Sequence, residues 1–67
     1  MEQDILRYLG DLYPEEGCGI ILNRKGTLEW HPCDNIAEDK FNNFKIAAKD
    51  FVSLGLQGDI EAIVHSH

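Results

Sequence analysis

The chain has 67 residues and a net charge of −6, with 12 acidic residues against 6 lysines and arginines. This length allows one small domain with a thin stability margin, and the 43% apolar content indicates a folded segment rather than a disordered one. The acidic charge argues against nucleic acid or an anionic membrane as a partner, because both need a basic face. The sequence shows no signal peptide and no membrane-spanning run. We therefore expect a soluble, cytoplasmic protein.

The first predicted element is an amphipathic helix over residues 1–12. Apolar residues recur at helical spacing between charged ones, and Pro14 marks the end of the helix. The residues of this apolar stripe are Ile5, Leu6, Leu9 and Leu12.

A β-hairpin is predicted next, over residues 17–31. Its first segment, 17–23, is too short for a helix and contains β-branched side chains. Lys25 and Gly26 then offer a turn before a second strand-forming segment. Residues 34–40 are polar and predict a loop.

The second half of the chain predicts a short strand over residues 41–46, a helix over 47–56 and a buried strand over 60–66. Glycines 55 and 58 bound this helix, and one of its faces carries Ala48, Phe51, Val52 and Leu56. The order of helix, hairpin, short strand, helix and strand predicts an α/β unit in which helices cover a sheet.

The two cysteines do not have the spacing of a disulfide framework, and in the cytoplasm they would stay reduced. We expect Cys18 to be a small buried hydrophobe beside Ile20. The alternative is that Cys18 or Cys33 binds zinc. With this acidic charge, the aromatic residues are expected in the core rather than in a platform for stacking bases; they are Trp30, Phe41, Phe44 and Phe51.

Two histidines, His65 and His67, stand two positions apart after an apolar run. In a strand such side chains share one face, with Cα atoms roughly 6.6 Å apart, and two imidazoles so placed can converge on zinc. Glu16 begins the first predicted strand and could accept a proton from zinc-bound water. We therefore expect Glu16 to lie about one water away from the imidazoles. The alternatives are that the two histidines are ordinary polar residues, or that His31, otherwise a half-exposed strand residue, is a further ligand.

In combination, these segments resemble the JAMM (MPN-plus, JAB-type) zinc metalloproteases. The resemblance is carried by residues 16–19, Glu-Gly-Cys-Gly, and by residues 63–67, Ile-Val-His-Ser-His. Residues 34–39, 41–46 and 49–51 are similar to the bacterial and phage branch of this family. That branch includes tail assembly proteins of lambda-like phages, in which the domain is joined to an NlpC-type cysteine peptidase domain. The resemblance covers essentially the whole chain.

The resemblance implies a cytidine-deaminase-like JAB/MPN α/β sandwich, of which residues 1–67 would be a single partial domain. It also implies that Glu16, which unlike Glu15 stands two residues before the cysteine, is the general base, and that His65 and His67 are zinc ligands. The proline, serine and aspartate that continue the family motif are not among these 67 residues. We therefore expect little zinc binding and no hydrolysis from this chain by itself.

The resemblance implies two alternative functions. In the first, the chain is the N-terminal part of a phage or prophage tail-assembly zinc peptidase that cleaves peptide or isopeptide bonds. In the second, it is a non-catalytic tail-assembly or interaction module. Either protein would have other phage tail proteins as partners, in the cytoplasm or on the virion tail.

Overall fold

A computed structural model describes residues 1–66, which form a small α/β fold with one three-stranded antiparallel sheet and two helices. The strand order is β2-β1-β3, so β1 is the central strand. Among the described residues, neither helix is long and apolar enough to cross a membrane. In chain order the elements are α1 (Glu2–Leu12), β1 (Cys18–Arg24), β2 (Thr27–Cys33), α2 (Ala48–Gln57) and β3 (Asp59–His65).

The predicted first helix and hairpin are confirmed. Strands β1 and β2 pair so that Arg24 lies opposite Thr27, which leaves Lys25 and Gly26 as a two-residue turn. Both turn residues have positive φ, 52° and 87°, and this conformation matches the twist of a tight hairpin. The Gly26 N–H also donates a hydrogen bond to Oδ1 of Asn23 at 2.8 Å.

The core lies on one face of the central strand. Alternate residues of β1 point to this face, and Cys18, Ile20 and Leu22 are completely buried there. Three further buried side chains complete the cluster, namely Cys33, Ile46 and Leu54. Phe44 and Phe51 pack against it. Cys18 is thus the buried neighbour of Ile20 that the sequence predicts.

The predicted strand over residues 41–46 is wrong, because this segment is a turn followed by irregular chain. The Asp39 carboxylate accepts hydrogen bonds from the backbone N–H groups of Phe41 and Asn42 at 3.1 and 3.3 Å. Its backbone carbonyl accepts a further bond from the Asn43 N–H at 3.0 Å. These bonds close a turn in place of a strand ladder, and Phe41, predicted in the core, is 57% exposed.

The last strand forms as predicted, but its predicted burial is wrong. Strand β3 is an edge strand whose only partner among the described residues is β1. Ile60 and Ile63 are 38% and 48% exposed. The apolar run predicts a strand correctly, whereas its burial depends on neighbours that the run does not specify.

The second helix also forms within one residue of its predicted bounds, but its predicted apolar face is right only for Phe51. Leu54 is buried and Phe51 packs against the core, whereas Val52 and Leu56 are exposed. Residues 51 and 54 are three apart and share a helix face, and this face meets the sheet. Gly55 lies inside the helix, and Gly58 follows it as the C-terminal cap.

Gly19 allows an aromatic ring to lie directly on the central strand. A Cβ atom at this position would collide with Cη2 and Cζ3 of Trp30 and would lie 2.8 Å from the carbonyl oxygen of His31. Trp30 is half-buried there, and Tyr8 of α1 packs edge-on against it with ring centroids 6.1 Å apart. The contact joins α1 to the outer strand β2.

Candidate functional site

A buried carboxylate lies against a histidine at one end of the sheet. Glu16, two residues before β1, has only 3% of its side chain exposed. Its Oε1 is 2.9 Å from Nδ1 of His65, the last residue of β3. With the proton on Nδ1, the imidazole donates this hydrogen bond to the carboxylate. Two of the three residues that the sequence predicts for the site are therefore in direct contact, closer than the expected separation of one water.

Antiparallel pairing of β1 with β3 brings these two side chains together. Cys18 lies opposite His65 in the register. The pairing extends one step beyond the strands, because the Ser66 N–H donates to the Gly17 carbonyl at 3.1 Å and the Gly17 N–H donates to the Ser66 Oγ at 3.0 Å. The end of β3 is thereby fixed beside Glu16. The third predicted residue, His67, lies outside the described residues.

Phe44 covers one face of the His65 imidazole. The two rings are stacked, with centroids 4.4 Å apart and planes inclined by 16°. A stacked ring and a hydrogen-bonded Nδ1 together restrict both the tilt and the rotation of the imidazole. Phe44 is predicted from the sequence only as a core residue, because its position comes from an irregular loop that no periodicity describes.

The same loop holds the backbone of Glu16. The Glu16 N–H donates to the carbonyl of Lys40 at 2.7 Å, and the Glu16 carbonyl accepts a hydrogen bond from Nδ2 of Asn35 at 2.8 Å. Both backbone polar groups of this residue are therefore bonded to the segment between β2 and α2. This segment therefore contributes to the site as well as connecting β2 to α2.

The two cysteines are free and buried, in an environment that favours the neutral thiol. Burial, followed by the neighbouring Cys33 and Glu16, raises the pKa of Cys18 from 9.0 to about 11. Burial also raises the pKa of Cys33. Zinc binds the thiolate form, whereas these surroundings favour the thiol when no metal is bound.

His31 belongs to a separate polar network on β2. Its Nε2 lies 3.0 Å from Oε1 of Glu29, and Arg24 contacts the other carboxylate oxygen at 3.1 Å. Hydrogen bonds from His31 and then Arg24 lower the pKa of Glu29. His31 is half-buried and pairs with Ile20, whereas His65 pairs with Cys18 on the other side of β1, so His31 is an ordinary strand residue.

The donor set can be compared with the requirements of zinc. Residues 1–66 contain no cluster of three or more histidine, cysteine, aspartate or glutamate side chains arranged to hold a metal. His65 nevertheless has the arrangement of a single zinc-binding histidine, because a carboxylate at Nδ1 fixes the tautomer that leaves a lone pair on Nε2. The described residues thus fit one zinc ligand with its supporting carboxylate.

An open cleft of about 760 Å³ runs along α1 to this histidine. Residues of α1 and of the turn after it line the cleft together with His65 and Ser66. The residues of α1 and of the turn after it are Leu6, Leu9, Gly10, Tyr13 and Glu15. The His65 side chain, 39% exposed, borders this cleft.

Comparison with known proteins gives one informative similarity. The chain is similar to a phage tail protein. It is 29% identical over 63 residues to the tail tip assembly protein K of Escherichia phage N15. The match covers 94% of this chain but only 26% of that protein, so the chain spans about a quarter of the length of this relative. No family model matches the chain, and no solved structure matches it.

Proposed function

We propose that the chain is part of a tail-assembly protein of a phage or prophage and contributes to a JAMM-type zinc peptidase centre there. The similarity to a tail tip assembly protein supports the tail-assembly role. The observation that carries the peptidase proposal is the 2.9 Å contact between the buried Glu16 carboxylate and the His65 imidazole. It joins the two segments on which the resemblance to these peptidases depends.

In this function His65 and His67 would hold zinc, and Glu16 would act as the general base. When bound, zinc would supply Lewis acidity toward water and the substrate carbonyl. Glu16 would accept a proton from the attacking water and return it to the leaving amine. Its contact with His65 holds the carboxylate beside one of the proposed ligands. The surrounding domain would have the JAB/MPN architecture.

The metal site can be tested by titrating the ¹⁵N-labelled chain with Zn²⁺ and following the histidine ring resonances by NMR. We expect weak binding, in which the His65 resonances shift or broaden at a lower zinc concentration than those of His31. The His65→Ala variant should need a higher zinc concentration before any resonance changes, whereas the matched His31→Ala variant should behave like the parent. Zinc acting first at His31, or no effect of His65→Ala, would contradict the proposal.

A second candidate function is a non-catalytic tail-assembly module. Within residues 1–66 strand β3 pairs on one side only, and this favours the second function, because a strand edge with apolar side chains is a common surface for protein association. Under this function the zinc titration would show no preference for His65. That the 67 residues are inactive by themselves stays a prediction in both cases.

A further inference from the structure

The side chain of Asn35 uses its full hydrogen-bonding capacity. Nδ2 donates to the carbonyls of Glu16 and Asn43 at 2.8 and 2.9 Å. Oδ1 accepts from the backbone N–H groups of Ala37 and Lys45 at 3.0 and 3.1 Å. A primary amide offers two donor hydrogens and two acceptor lone pairs, and all four are engaged with backbone groups.

These bonds join three separate parts of the chain. One bond reaches Glu16, two residues before β1, one stays within the start of the loop, and two reach residues 43 and 45. A backbone hydrogen bond from the Ile36 N–H to the Lys45 carbonyl, at 2.9 Å, closes the same loop beside them. Asn35 thus replaces the strand ladder that the sequence predicts for residues 41–46.

Phe44 lies between the two loop residues that Asn35 holds. The backbone groups of Asn43 and Lys45 are both bonded to the Asn35 amide, so the position of the intervening residue is set by the same side chain. Phe44 is the residue whose ring stacks on His65 at 4.4 Å. The Asn35 amide is therefore hydrogen-bonded directly to the Glu16 backbone and to both chain neighbours of Phe44, whose ring covers His65.

We propose that Asn35 is a positioning residue that aligns the Glu16–His65 pair. It holds the Glu16 backbone, and it places Phe44 against the imidazole. Its effect on zinc binding and hydrolysis rests on the proposed function, whereas its effect on the orientation of His65 does not. The two effects can be measured separately.

The orientation is tested with Asn35→Asp, which keeps the acceptor oxygen but replaces the two donor hydrogens with an oxygen facing two carbonyls. We expect this variant to lose the ring-current shift that Phe44 imposes on the His65 ring protons, so that these protons move toward the values found in the Phe44→Leu variant. Asn43→Asp is the matched control, because Asn43 is exposed and is bonded to the Asn35 side chain through its backbone carbonyl only. It should retain the parent shifts.

The zinc titration distinguishes failure of the proposed function from failure of the positioning role of Asn35. If His65 binds zinc in the parent, Asn35→Asp should raise the zinc midpoint on the order of 10-fold, the lower end of the cost for losing a group that supports a metal ligand. If the parent shows no zinc preference for His65, the proposed function fails while the ring-current shift still tests Asn35. Parent-like His65 shifts in folded Asn35→Asp would overturn the positioning role.

A measurement on the unmodified chain covers the case in which Asn35→Asp does not fold. The backbone amides of Ala37 and Lys45 should exchange with solvent more slowly than that of the loop residue Glu38, because each donates to Asn35 Oδ1. Equal, rapid exchange of all three amides would also overturn the proposal.

Discussion

A carboxylate that is 97% removed from solvent is retained in a protein only when hydrogen bonds replace its lost hydration. Glu16 has such a partner in His65, and its backbone is held on both sides by the loop between β2 and α2. The neighbouring Glu15 has no comparable burial. The difference between these adjacent glutamates allows the contribution of the pair to be measured.

We expect Glu16→Ala to lower the free energy of unfolding by about 1–3 kcal/mol, the usual cost of losing a buried, charge-assisted hydrogen bond. Glu15→Ala, at a half-buried position, should change it by less than about 0.5 kcal/mol. Urea unfolding of the three proteins, followed by circular dichroism, measures both values. Equal effects at the two positions would mean that the Glu16–His65 contact contributes nothing to stability.

The buried cysteine predicts a loss of stability at alkaline pH. Between the ordinary thiol pKa of 9.0 and the raised pKa of Cys18, about 11, the unfolded chain releases a proton that the folded chain keeps. Stability is therefore fully present below pH 9 and falls as the pH rises toward 11. The raised pKa values of Cys33 and Tyr8 act in the same direction.

The melting temperature should accordingly fall between pH 9 and pH 11 and remain nearly level just below pH 9. In the Cys18→Ala variant this slope should be shallower but not flat, because Cys33 and Tyr8 still titrate. An unchanged slope in Cys18→Ala would show that the thiol of Cys18 ionises as readily in the folded chain as in the unfolded one.

At the scale of elements, the packing of Trp30 on β1 depends on the absence of a side chain at Gly19. We expect Gly19→Ala to destabilise the fold by about 1–3 kcal/mol, because the added methyl displaces the indole from a packed position. Gly10→Ala is the contrasting variant, since nothing lies within 4 Å of a Cβ there. In the interior of α1 it should stabilise by about 0.5–1 kcal/mol. Thermal unfolding of both variants tests the pair, and a neutral Gly19→Ala would contradict the packing.

Local signals are sufficient to predict all five elements, and they fail where tertiary contacts decide. The two helices, the hairpin and β3 follow from periodicity, glycine and proline positions. The segment over residues 41–46 has a strand-like composition, but backbone N–H groups in it donate hydrogen bonds to the side chains of Asp39 and Asn35 rather than to a neighbouring strand. The predicted burial is wrong for Val52 and Leu56 of α2 and for strand β3, because the face that packs depends on the arrangement of the sheet.

The candidate site was predictable only in part for the same reason. Glu16 and His65 lie in short motifs with recognisable spacing, and the antiparallel pairing brings them together. Asn35 and Phe44 lie in an irregular loop, where neither hydrophobic periodicity nor a sequence motif identifies a functional residue. A single asparagine with four backbone bonds has no signature in one sequence.

At the scale of the whole molecule, the exposed edge strand predicts association. Strand β3 has an exposed outer surface with Ile60 and Ile63 partly open to solvent. Unpaired edges with apolar side chains pair readily with other strands. We expect the chain to self-associate as its concentration rises, in sedimentation velocity at micromolar to millimolar concentrations.

The Ile63→Lys variant should remain monomeric over the same range, because an edge lysine opposes strand pairing. Ile36→Lys provides a matched control, since Ile36 is 49% exposed and Ile63 is 48% exposed, but Ile36 lies in a loop. It should associate like the parent. Association that Ile36→Lys suppresses and Ile63→Lys does not would locate the contact elsewhere.

The missing side chain at Gly19 also has an evolutionary consequence. Because the indole of Trp30 occupies the space that a Cβ would take, positions 19 and 30 are not free to change independently. A lineage that acquires alanine at position 19 should also carry a smaller side chain at position 30, and the smaller residue should be tolerated first. Homologous sequences should therefore show correlated substitution between one residue of the Glu-Gly-Cys-Gly segment and a strand residue eleven positions later that has no part in the proposed chemistry.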